Sequence, residues 1–176
     1  MKAVTNSSVL IALSSIGQLE LIHQRFPDGV LLPKAVWKEV VETGAGRPVA
    51  EQVAQTSWLT IRSVTNTTLL ASLRLELDEG ESEAIALFLE DSAQAILLDE
   101  KSARQVAKRL NIPTLGTVGI LIWARQNGLI SSLKEQLDIL QNIGKFRLIT
   151  RKPIIGVNWS NCVHIPSHNH NHHYGG

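Results

Sequence analysis

Residues Ala95-Ile96-Leu97-Leu98 are apolar at consecutive positions, and the run stops abruptly at Asp99. A run without polar alternation reads as a strand buried on both faces, which requires a helical layer on either side of its sheet. Helical patterns flank it. Before it, Glu81 to Glu90 presents Ala84, Ile85, Leu87, Phe88 and Leu89 as a broad apolar face; after it, residues 101 to 110 carry Lys101, Arg104, Lys108 and Arg109. Strands alternating with helices predict an α/β fold, a parallel sheet with helices on both faces.

The rest of the chain repeats the alternation. Residues 2 to 5 read as a short buried strand ending at Asn6, with Ser7 or Ser8 placed to cap the helix that begins at Val9. A helix is expected over Leu19 to Arg25, a turn at Pro27-Asp28-Gly29, and a strand over Val30 to Leu32. Pro33 then opens a helix in which Val36, Val40 and Trp37, Val41 recur at i, i+4, leaving Glu39 off the apolar stripe. Further helices are expected over Pro48 to Gln55, 66 to 77, Thr117 to Gln126 and Ser132 to Ile143. Strands are expected over Trp58 to Val64, Pro113 to Leu115 and Phe146 to Ile149. Trp37, Trp58 and Trp123 fall in apolar patterns that suit core packing rather than base stacking.

A length of 176 residues suits one domain, read as 1–150, followed by an irregular His- and Asn-rich tail over 151–176. His164, His168, His170, His172 and His173 lie in that tail, among Asn, Ser and Gly that offer no core. Cys162 is the single cysteine, which excludes an intramolecular disulfide and suits a reducing cytoplasm. No apolar run approaches the roughly 18 residues of a membrane span. Near the N-terminus Asn6, Ser7 and Ser8 interrupt what otherwise looks like a signal-peptide core. The formal net charge is +1, so nucleic-acid binding requires a local basic patch rather than bulk charge.

Four oxygen-bearing side chains stand where such a fold gathers ligands. Asn6 and Asp99 end strands, Glu39 and Glu83 lie on helices beside them, and the carboxyl ends of parallel strands form the binding crevice of open α/β sheets. Converging carboxylates repel one another and call for a hard cation such as Mg2+ or Mn2+. Ser7 and Thr117 are placed to cap helices or to position a phosphate, and Lys101 and Arg104 to contact one. Asp99 has a second reading as the N-cap of helix 101–110.

The segments NSSVLIAL, LPKAVWKEVV, LDEGESEAIALFLE and ILLDEKSARQVAKRLNIPTLGTVGIL, with ARQNGLI, resemble the PIN-domain family in the expected order over about residues 3 to 146. The resemblance implies a three-layer α/β/α sandwich with a mostly parallel central sheet and a metal-dependent ribonuclease site. It also implies RNA as substrate and a homodimer. The toxin role in a toxin–antitoxin pair, with a small antitoxin as partner, belongs to the same resemblance. It assigns the four acidic positions to Asn6, Glu39, Glu83 and Asp99, with Asp78, Glu81 and Glu100 as neighbours able to substitute; Glu83 is preferred over Glu81 because it directly precedes Ala84-Ile85-Ala86. Asn6 departs from the family's acid, supplying an amide oxygen without charge. That departure opens a rival reading, a PIN-like domain that binds RNA or a partner without cleaving. A receiver-type phosphotransfer domain ranks low, because Thr5-Asn6-Ser7 lacks the acidic pair it needs.

Overall fold

The computed structural model describes residues 1–143. The expected strand over 146–149 and the tail over 151–176, with Cys162 and its histidines, lie outside the described residues.

Five short strands form a parallel sheet: β1 (Ala3–Thr5), β2 (Val30–Pro33), β3 (Leu59–Arg62), β4 (Ala95–Leu97) and β5 (Thr114–Leu115), in the spatial order β3-β2-β1-β4-β5. The register aligns Ala3 with Val30 and Ala95, and Val4 with Leu31 and Ile96. Because side chains alternate across a sheet, each aligned row feeds one face. Ala3, Val30, Ala95, Leu32 and Leu97 join one core cluster, while Val4, Leu31, Ile96 and Leu98 join the other. This two-sided burial is what the uninterrupted apolar run at 95–98 implies.

Helices α1 (Ser7–Ser15), α2 (Glu20–Arg25), α3 (Lys34–Trp37), α4 (Pro48–Ala54), α8 (Thr117–Gln126) and α9 (Leu133–Asn142) cover the first face. The second is covered by α5 (Thr67–Leu73), α6 (Glu79–Glu90) and α7 (Lys101–Arg109). Crossovers from β1 to β2 to β3 run one way on the first face. Those from β3 to β4 to β5 run the other way on the second, the division that a uniform crossover handedness requires. The molecule is therefore an α/β/α sandwich whose winding reverses between β1 and β4.

Local chemistry corrects several expected caps. The side-chain oxygen of Asn6, not Ser7 or Ser8, accepts the Val9 N–H and caps α1. Asn ranks with Ser as a cap, and Asn6 in extended backbone moves the helix start forward to Ser7. Gly116 is the N-cap residue of α8, and Thr117 makes no cap of its own. The helix opened by Pro33 does not run on as a regular α-helix: Lys38–Glu42 forms a π-helical turn, in which the Thr43 N–H reaches back to the Lys38 carbonyl (2.8 Å). Val36 and Val40 are buried and Trp37 and Val41 pack against the same core, so the apolar stripe survives the extra residue. Trp58 and Trp123 also pack against this core.

Ile96 has no exposed surface and sits in the central pair of strands. Ile96→Ala leaves a cavity that the closed sheet cannot fill, so chemical denaturation should show a loss of about 2–5 kcal/mol with an unchanged m-value.

Candidate functional site

The reversal of winding leaves a crevice at the carboxyl ends of β1 and β4, the place where open α/β sheets bind ligands. Asn6 leaves β1 and donates its backbone N–H to the Leu97 carbonyl (3.2 Å), extending the β1–β4 ladder by one step. Asp99 and Glu100 leave β4 just beyond. Residues distant in sequence thus become neighbours.

The contacts in this crevice are polar and specific. Asn6 is buried, and its Nδ2 donates to Glu100 Oε2 (2.9 Å) while its Oδ1 caps α1. Ser8 Oγ lies 2.9 Å from both Asn6 Oδ1 and Glu100 Oε2. A hydroxyl has one proton, so Ser8 donates to one of these at a time. The Asn6 amide therefore faces a carboxylate with its nitrogen, where an acid would set charge against charge.

Asp99 is held differently. Its Oδ1 accepts the Thr117 N–H (2.8 Å) and its Oδ2 the Thr117 hydroxyl (2.6 Å), which places the carboxylate on the first turn of α8. Glu100, not Asp99, occupies the N-cap position of α7, and it makes no side-chain cap. Both oxygens of Asp99 are spent across the sheet on Thr117, which excludes the capping alternative. Arg104 Nη1 donates to the Leu98 carbonyl (2.9 Å) beside it. Gly116 is what lets these groups converge, since a Cβ there would stand 2.8 Å from Asp99 Oδ1 and 2.9 Å from Arg104 Nη1. Burial pushes the Asp99 carboxyl up, the Thr117 hydrogen bonds pull it down, Glu100 pushes it up again and Arg104 opposes, leaving it above the ordinary range.

On α6 the two candidate glutamates point to different neighbours. Glu83 Oε2 accepts the Ala35 N–H (2.7 Å) and so serves the N-terminus of α3, which has no side-chain cap of its own. Glu81 is 6% exposed and forms a capping box with Asp78: Asp78 Oδ1 accepts the Glu81 N–H (2.8 Å), and Glu81 Oε2 accepts the Asp78 N–H (3.2 Å). Residues two apart on a helix face away from each other. Burial raises the Glu81 carboxyl, the Asp78 carboxylate adds to this, the Asp78 N–H opposes it, and Glu100 and Glu39 raise it further. Glu81, a neighbour able to substitute in the family's pattern, feels Glu100 and Glu39 most weakly of the influences that shift it, while Glu83 reaches α3 one turn before Glu39. The signal of Glu81 was available as the capping-box spacing Asp78-x-x-Glu81.

Glu39 is exposed on the π-helical turn, and its Oε2 lies 3.6 Å from the position a Cβ on Gly80 would take. Lys101 and Arg104 are exposed on α7, Ser7 is half-buried at the start of α1, and Thr117 is buried against Asp99. The structure thus gathers Asn6, Ser8 and Glu100 in direct contact, joins Asp99 to Thr117, and leaves Glu83 on α3.

The oxygen-only set of Asn6, Ser8, Asp99 and Glu100 is chemically suited to a hard cation rather than a soft metal. Burial first, and Glu100 to a smaller degree, raise the carboxyls of Glu81 and Asp99, and a nearby positive charge would relieve both. Among the described residues, no three His, Cys, Asp or Glu side chains stand close enough to enclose an ion.

A family profile described as PIN domain matches residues 2–151. The chain belongs to the PIN-domain family. Its parallel sheet with helices on both faces is the fold expected of that family. A search of curated proteins found no match to the chain. Among the described residues no helix is long and apolar enough to cross a membrane.

Glu81 yields a test by pH. Its folded carboxyl binds a proton more tightly than the ordinary value of 4.5, so stability falls as pH rises from that value through the folded one and stays reduced at neutral pH. Glu81→Gln keeps an oxygen for the Asp78 N–H and removes the charge. It should raise the melting temperature at pH 7, with the gain vanishing below pH 4; an equal change at both pH values would exclude the carboxylate as its source.

Proposed function

We propose that this PIN-domain protein is a metal-dependent endoribonuclease that hydrolyses RNA phosphodiester bonds, and the observation that carries the reading is the contact of Asn6 with Glu100, the residue next to Asp99, at the β1/β4 reversal. Glu100 and Asp99 would hold a Mg2+ or Mn2+ ion, with Glu81 and Glu39 adding negative field from the α6 side. When bound, such an ion supplies a nucleophilic water, a counter-charge for the phosphate and help for the leaving oxygen. Asn6 and Ser8 orient the Glu100 carboxylate through their 2.9 Å contacts. Thr117 fixes Asp99 with both of its donors. Lys101 and Arg104, exposed at the start of α7, lie next in the chain to Glu100 and suit phosphate contacts. No side chain of the protein attacks the phosphorus. From the family this reading carries over a small antitoxin and a second copy of the chain as partners, a toxin role, and action in the cytoplasm.

The second reading rests on one contact. Asn6 Nδ2 already offers Glu100 a donor, so the crevice is partly neutralised without an ion. A PIN-like domain of that kind binds nucleic acid or a protein and does not cut.

Two variants separate the readings. Asp99→Asn keeps an acceptor for the Thr117 N–H and the shape of the site. On a panel of RNA substrates it should lose more activity than the roughly 10–100-fold that removing an outer-shell partner costs, in protein whose circular dichroism shows it folded; full activity would end the nuclease assignment. Asn6→Asp restores an acid opposite Glu100 and should tighten Mn2+ binding in calorimetric titration. Wild-type protein that takes up no Mn2+ and cuts no RNA favours the binding reading.

A further inference from the structure

Two carboxylates follow the end of β4, and the chain supplies each with its own donors. Glu100 receives the Asn6 amide and shares the Ser8 hydroxyl, both neutral groups. Asp99 receives the Thr117 N–H and hydroxyl, and it also has a full positive charge nearby, that of Arg104. Arg104 lies one turn into α7, with its backbone N–H on the Glu100 carbonyl (3.0 Å). Helical side chains lean toward the N-terminus of their helix, which sends this one back toward β4. There Nη1 donates to the Leu98 carbonyl (2.9 Å).

The packing around Gly116 shows how near the charge comes. A Cβ at that position would stand 2.8 Å from Asp99 Oδ1, 2.9 Å from Arg104 Nη1 and 3.3 Å from the Leu98 carbonyl oxygen, so three groups close on one point. Yet among the described residues Arg104 makes no ion pair at contact distance. The guanidinium therefore stands in the range of about 4–6 Å over which an opposite charge favours an ionised carboxylate. Arg74 and Arg109 are spent on Glu79 and Glu76. Arg104 is held by a carbonyl instead, an acceptor that fixes its position and leaves its charge uncompensated. Among the described residues it is the one cation that shifts the Asp99 carboxyl.

We propose that Arg104 is a resident counter-cation of the crevice: fixed by the Leu98 carbonyl beside Asp99, it takes over part of the electrostatic role of a divalent ion and so weakens the hold of the crevice on one. The proposal rests on the metal-dependent reading and deepens it, because the affinity for Mg2+ or Mn2+ is then set by a fixed positive charge as well as by the acids. The crevice fills at a higher ion concentration than Asp99 and Glu100 alone would require. Only Nη1 is engaged with the protein, so the other guanidinium nitrogens keep their donors for a phosphate.

The test is calorimetric titration of the full chain with Mn2+ at about 0.01 M and about 1 M salt, between which the screening length falls from about 30 Å to about 3 Å. Binding at the crevice is the part that Asp99→Asn removes, which separates it from uptake by the histidines of the tail. Arg104→Gln removes the charge and should tighten that binding about threefold or more at low salt, with the gain lost at high salt. Arg104→Lys keeps a cation and should stay within about twofold of wild type. Arg104 is exposed, so both variants should fold, which circular dichroism checks. Weaker or unchanged binding by Arg104→Gln overturns the proposal, as does a gain that persists at high salt or one that Arg104→Lys reproduces. If wild type binds Mn2+ at the crevice and Arg104→Gln merely matches it, only the counter-cation fails; if wild type binds none there, the metal-dependent reading fails with it.

Discussion

The pairing of β1 with β4 is the interaction on which everything else in this molecule depends. Three aligned residue pairs, Ala3 with Ala95, Val4 with Ile96 and Thr5 with Leu97, fix both strands at the centre of the sheet. Each row sends its side chains to one of the two cores, so a slip by one residue would turn Val4 and Ile96 into the wrong layer. The same register carries Asn6 to the Leu97 carbonyl and its amide to Glu100. Stability and site geometry come from a single alignment.

That alignment concentrates negative charge. Glu81 and Asp99 are both raised above the ordinary carboxyl range, first by burial and then in part by neighbouring acids. Glu100 adds to both shifts, so the two partly buried acids share one like-charged neighbour, an arrangement that costs free energy. Asn6 moderates the arrangement. Its amide gives Glu100 a donor and α1 a cap with one side chain, so one residue serves helix, sheet and crevice together. Thr117 does the corresponding work for Asp99 from the other side of β4, and the absence of a Cβ at Gly116 keeps room for both Asp99 and Arg104.

Much of this was legible along the chain. The strand–helix alternation, the stop of an apolar run at Asp99 and the apolar stripe on Val36 and Val40 each depend on periodicity, which is local. Where Glu81 and Glu83 each reach was not legible in the same way. It turns on the rotation of α6 about its axis, which the docking of Ala84, Ile85 and Leu87 on the sheet determines. The preference for Asn6 over Ser8 as cap, the extra residue of the π-helical turn under Glu39, and the seating of Asp99 on Thr117 likewise depend on partners far away in sequence.

The sequence by itself determined the α/β class, because an unbroken apolar strand between amphipathic helices can be buried only inside a helix-covered parallel sheet. It also determined which residue types end the central strands, Asn6 and Asp99, since a strand stops where its apolar pattern stops. Tertiary structure alone decided which acids meet. Glu100, a neighbour rather than a leading candidate, touches Asn6 because β1 and β4 lie side by side. Contacts between residues about 90 positions apart have no local signature; they exist only once the hydrophobic register has closed the sheet.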